Sequence, residues 1–239
     1  MSLPNPARHA VGSRPGHPEP VLAVSLMTTL LAAGFGFDLM RRWAKAPGRR
    51  HLLWWGLGVV LYGLGTGAAA HVERFGWSPA AFRIWYTAGA VLGGAILALG
   101  TVHLHHRAET ASQIVRTVGV VAAGCTLAVM MSPVAPLPSG DLAGASLGWG
   151  WVRIFTPFLN VFAVTYLAGG AIRSGWQRLG GGGGGTQVAG NALLALGAIT
   201  PALGGVASRL GGAAALPPTL LVGLVLIWVG ARLAGRPRG

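Results

Sequence analysis

The sequence predicts an all-α integral membrane bundle of about seven transmembrane helices, N-terminus outside and C-terminus inside. Three observations lead there. Of 239 residues, 52% are hydrophobic and only 10% charged, whereas a soluble domain carries about 25% charge. Apolar runs close to the roughly 20 residues that cross a hydrocarbon core recur along the whole chain. Basic residues are dense in every second loop, and lipid-facing loops show that asymmetry when the richer side is cytoplasmic.

Residues 1–20 carry Pro4, Pro6, Pro15, Pro18 and Pro20 and read as a disordered extracytoplasmic tail. The first apolar run begins late, at Val21, and ends in Arg41 and Arg42. Charge that follows the run points to an uncleaved first helix with its N-terminus outside. The expected spans are residues 21–40, 52–70, 84–104, 114–131, 152–170, 188–207 and 215–233. None alternates with the period of a barrel strand, and all are too long for one. They form one transmembrane domain over residues 21–235, with no second soluble domain.

The loops set the orientation. Twelve basic residues fall on one side, in the loops after the first, third, fifth and seventh spans, against six on the other. Tryptophan agrees, because indole rings prefer the headgroup level. Trp43, Trp54, Trp55 and Trp176 fall at expected inner boundaries, Trp77, Trp85, Trp149 and Trp151 at outer ones, and Trp228 inside a span. The net charge of +13 is spread through these loops. It therefore suits anionic lipid headgroups at the cytoplasmic face and not nucleic acid.

Two loops stand apart. Residues 132–150 carry Pro133, Pro136 and Pro138 and then an apolar stretch with Asp141. The turn residues read as a connector; the apolar stretch also suits a re-entrant or interfacial flap. Residues 180–185 are all glycine and read as a flexible cytoplasmic linker. Within the spans, Gly56, Gly63, Gly67 and Ala70 share a face of the second, and Gly89, Gly93 and Gly100 a face of the third. Small residues at that spacing let helices approach in lipid. Pro157 and Pro201 should kink the fifth and sixth. The first and last three helices share no repeat.

Several chemistries are excluded. Cys125 is the only cysteine, so no internal disulfide or thiolate cluster exists. The seventh span has no lysine for a retinal Schiff base, and the phosphate-binding loop, nucleophile-elbow and H-E-x-x-H motifs are absent. No catalytic constellation emerges.

Ionisable groups near a bilayer are costly and need a reason. At the outer end Tyr62, Thr66 and Glu73 share a stripe of the second helix. Arg83, Tyr86 and Thr87 begin the third, Arg153, Thr156 and Asn160 are three and four apart in the fifth, and Arg209 closes the sixth. These residues predict an outward-facing substrate cavity, with Glu73 paired to Arg83 or Arg153 and the remaining guanidinium groups binding an anion. The alternative is that the arginines snorkel to the headgroups. At the inner end Asp38, His51, His103, His105, His106 and Glu109 lie at one depth. His51, His103, His106 and Asp38 are candidate transition-metal or haem ligands, or interfacial groups that titrate freely.

The block Glu73–Thr101, with E-R-F-G-W-S-P-A-A-F-R-I-W-Y-T-A-G-A followed by L-G-T, resembles a block of multi-pass bacterial membrane proteins that carry no assigned function. The resemblance implies a membrane location and nothing more; the membrane expected is the bacterial cytoplasmic one. Three functions follow as expectations: permease-like transport of a small, anionic solute; a haem- or metal-binding redox subunit; a non-catalytic assembly partner, as a homo-oligomer or with another membrane protein. No carboxylate stands near mid-membrane, which counts against proton-driven pumping.

Overall fold

The computed structural model describes residues 19–138, 142–180, 185–209 and 215–235. The tail, Asp141, most of the glycine linker, the Arg209 side chain and the last arginines lie outside the described residues. Among the described residues seven helices are long and apolar enough to cross a bilayer, which makes the chain an all-α multi-pass membrane protein. They are α1 (Glu19–Lys45), α2 (Arg50–Phe75), α3 (Pro79–His105), α4 (Ala108–Met131), α5 (Val152–Gly180), α6 (Gly185–Arg209) and α7 (Leu216–Ala234). Each expected span falls on its own helix. Most helices run past the apolar run, because backbone hydrogen bonding continues into the polar interface where hydropathy has already ended.

The helix ends follow from local chemistry. Pro47 and Gly48 turn the chain between α1 and α2. Gly76 ends α2 at φ 95°, a conformation open to glycine at little cost. The Ser78 hydroxyl then accepts from the Ala81 amide at 3.2 Å, capping α3, and Pro79 takes the first helical position. The α2–α3 reversal is therefore short and rigid.

One stretch departs from α-helix. Trp85–Gly93, in the middle of α3, is π-helical. Such wide turns are rare and concentrate at functional sites. Nothing in the composition of that segment announces it.

The helices pack in the order α1, α2, α3, α5, α6, α7 and back to α1, closing a ring, with α4 outside against α3 and α5. The ring is filled. Val59, Tyr62, Leu97, Leu167 and Leu224, from α2, α3, α5 and α7, join one apolar cluster with Phe35 and Leu39 of α1. The outer surface is apolar as well: Leu30 is 73% and Phe158 70% exposed. Lipid, not water, suits such a surface.

Glycine sets the closest approaches. On α6, Gly190, Gly197 and Gly204 recur every seventh residue and meet Gly230 and Ala234, Gly223, and Thr219 of α7. A Cβ on Gly197 would stand 2.7 Å from the Gly223 carbonyl oxygen, and one on Gly223 2.8 Å from the Pro201 ring. Pro201 has no N–H for the Gly197 carbonyl, and that oxygen lies against Gly223 instead. α2 uses two glycine faces. Gly56 and Gly63 meet Met40 and Ala32 of α1, while Gly58 and Gly65 meet Leu97 and Gly89 of α3.

Candidate functional site

One end of the bundle holds the α2–α3 turn and residues 132–150; the other holds the histidines. At the first end the loop is a folded flap. Ser132 is fully buried. Its hydroxyl accepts from the Trp149 amide at 3.1 Å, and the Gly148 amide donates to the Pro133 carbonyl at 2.8 Å. Val134 and Leu147 form an antiparallel bridge. Val134, Leu142, Leu147 and Trp149 pack on the core of Phe82, Tyr86 and Leu159. Burial of those apolar side chains turns a proline-rich connector into a cover.

The residues expected at the outer end make contacts along two seams. The stripe on α2 is real, but it faces α1 and α7. The Ser25 hydroxyl donates to Glu73 Oε1 at 3.0 Å. Thr29 and Thr66 share a hydrogen bond at 3.0 Å, and the Tyr62 hydroxyl donates to the Leu220 carbonyl at 2.8 Å. Asp38, at the other end of the bundle, pairs with Arg42 and Arg232. The rotation of α2 about its axis decides which neighbour its stripe meets, and residue spacing does not reveal it.

The second seam joins α3, α4, α5 and the flap. Arg83 Nη2 donates to the Ser132 carbonyl at 3.1 Å, tying α3 to the end of α4. Tyr86 and Thr156 share a buried hydrogen bond at 2.9 Å, tying the π-helical stretch to α5. Gly144 of the flap lies over both Tyr86 and Arg153; a Cβ there would meet the Tyr86 ring at 3.2 Å and Arg153 Cδ at 3.5 Å. Arg153 is exposed, and its Nε donates to the Gly150 carbonyl at 3.4 Å. Asn160 is exposed on α5, with its side-chain oxygen nearest Gly94 of α3.

Four buried polar atoms of this seam have no hydrogen-bond partner among the described residues: Arg83 Nε, Thr87 Oγ1, Thr126 Oγ1 and Ser146 Oγ. Thr87 is one turn below Arg83 on α3, and Thr126 is less than two turns below Ser132 on α4, so the hydroxyls stand at similar depth. A buried polar group left without a partner costs about 1–3 kcal/mol. Such groups can be met by water or by a polar ligand. Thr126, Ser132 and Ser146 escaped the sequence reading. Their one signal there is a hydroxyl inside or just beyond an apolar run, which packing explains as easily.

At the opposite end the histidines share a depth and little else. His51 meets Trp55 edge-on at 5.2 Å, and His103 stacks on Trp54 at 6.0 Å. His103 Nδ1 lies 2.8 Å from the Leu99 carbonyl; since that oxygen only accepts, Nδ1 carries the proton. Tyr166 and His106 share a hydrogen bond at 3.3 Å, and His105 lies against Gly170. Asp38 is held by Arg42 at 2.8 Å and Arg232 at 3.6 Å. Among the described residues no three His, Cys, Asp or Glu side chains converge as metal ligands. Each ring is directed to its own neighbour, on α2 or on α5.

No family model, no curated protein and no solved structure matches the chain.

Proposed function

We propose that this chain is a permease-like protein of the bacterial cytoplasmic membrane, which binds a small anionic solute in the α3–α4–flap seam from the extracytoplasmic side. The carrying observation is the group of unpartnered buried polar atoms beside the π-helical stretch. A polar layer at a widened backbone is how membrane helices present binding groups without exposing them to lipid. Charge supports an anion. Arg83 and Arg153 flank the seam, and the one acid of α4, Glu109, stands in its first turn, at the opposite end of that helix. The loop charges support the flap end facing outward. The filled ring supports a guest beside α4 over one in a central bore.

Charge-selective labelling tests this. In a Cys125→Ala background, Thr87→Cys and Ser146→Cys are exposed to two membrane-impermeant thiol reagents in intact cells, one bearing a sulfonate, the other a trimethylammonium. Both sites should react, the sulfonate faster, and Arg83→Gln should erase the preference. If Thr87→Cys stays inert while the exposed Trp151→Cys reacts, the seam is sealed and the proposal fails. Reaction of Trp151→Cys only after cell lysis would reverse the assigned orientation.

A further inference from the structure

A shallow groove of about 420 Å³ opens at the histidine end, between α4 and the α1–α2 turn. We infer that it seats one anionic phospholipid, headgroup between Arg50 and Arg116, and that this lipid fastens α4 to the ring.

The two guanidinium groups come from different elements. Arg50 begins α2, and Arg116 lies in the third turn of α4. Both are exposed. Neither makes an ion pair among the described residues; the Arg116 Nε–H donates to the Ser112 carbonyl of its own helix at 3.3 Å. Their remaining N–H groups suit a phosphate, which guanidinium recognises by paired hydrogen bonds.

His103 lines the same groove. With Nδ1 bound to Leu99, its Nε2 is left for the headgroup. Glu109, the acid of this helix end, lines a neighbouring groove on the far side of Arg116.

The occupant is a lipid and not a soluble anion because the walls are apolar. Trp43 and Trp54 flank the opening, and Leu53 and Val115 continue it along the helices. Indole rings mark the headgroup level, and basic pockets between membrane helices at that level bind anionic headgroups. The packing supplies the need. α4 packs mainly on α3 and α5, so its hold on α1 and α2 is slight. A lipid bonded to Arg50 and Arg116 would bridge that gap. This inference is independent of the solute proposal, which concerns the other end of the bundle.

Native mass spectrometry of the full-length protein in detergent tests it, with titrations of dioleoyl phosphatidylglycerol, dioleoyl phosphatidylcholine and glycerol 3-phosphate. One phosphatidylglycerol should saturate the wild type, with phosphatidylcholine and glycerol 3-phosphate far weaker. Arg50→Gln with Arg116→Gln should weaken phosphatidylglycerol roughly thirty-fold, since each basic residue near a membrane surface is worth about 1 kcal/mol. Arg41→Gln with Arg173→Gln removes equal charge at the same end outside the groove and should change binding less than about threefold. Equal loss in the two double variants would reduce the effect to general charge and overturn the site. So would tight binding of glycerol 3-phosphate, which would make the ligand a soluble anion, or undiminished lipid binding by Arg50→Gln with Arg116→Gln.

Discussion

The α6–α7 hairpin and the α3–α4–flap seam solve the same problem in opposite ways. In the hairpin, side chains are removed until backbones touch. Gly190, Gly197 and Gly204 recur on α6 and face Gly223, Gly230 and Thr219 on α7. Dispersion and close polar backbone contacts hold it, as expected where lipid offers no hydrophobic drive between helices. In the seam, helices stand apart, aromatic and hydroxyl groups fill the space, and several buried polar atoms go without partners. The difference separates scaffold from site. A contact between backbones has one arrangement, whereas a seam of side chains with unspent hydrogen-bonding capacity can accept another molecule.

The hairpin should break most severely. Gly197→Leu places a side chain where the Gly223 and Ile227 backbones already stand within 3 Å of a Cβ position, so α6 and α7 must separate. A loss of about 1–3 kcal/mol is expected, read by denaturant titration in mixed micelles followed by circular dichroism. A loss below measurement would mean that the hairpin does not bear on stability.

The seam should respond with the opposite sign. Thr126→Val removes a buried hydroxyl that has no partner and keeps its shape. The solute-free protein should gain on the order of 1 kcal/mol. Destabilisation of that size would show that the hydroxyl has a structural role and would erase the contrast.

The smallest effect is expected from Tyr86→Phe. It deletes the Tyr86–Thr156 bond and keeps the ring. Interhelical hydrogen bonds in membranes average about 0.6 kcal/mol, and Thr156 can turn to its own helix. A loss as large as that of Gly197→Leu would place the anchor of the bundle in the seam.

Sequence disclosed what depends on one helix at a time. The spans follow from hydropathy, the polar stripe of Tyr62, Thr66 and Glu73 from spacing, and the shared depth of His51 and His103 from the short α2–α3 turn. It hid what depends on how helices are rotated against each other. Glu73 accepts a hydrogen bond from Ser25 of α1, and the histidines at the end of α3 divide between α2 and α5. A second glycine face on α2, Gly58 and Gly65, was obscured because residues on both faces interleave within a few positions. The π-helical stretch has no compositional mark, since widening the backbone changes hydrogen-bond register and not residue preference. In residues 132–150 the prolines point to a connector and the apolar stretch to a flap. The burial of Ser132 and Leu147 that orders it depends on α3 and α5 being in place.

The seam between α1 and α7 also bears on how the protein is made. Phe35 stacks on Trp228 at 5.9 Å, Tyr62 bonds to Leu220, and Asp38 meets Arg232, each pair nearly 160 residues or more apart. Contacts so distant in the chain form late, after loop-closure entropy has been met. During synthesis, α1 and α2 must wait in the bilayer with one flank open until α7 emerges. A nascent chain arrested before Leu216 would therefore hold the Tyr62 hydroxyl without its Leu220 acceptor and leave Asp38 with Arg42 alone.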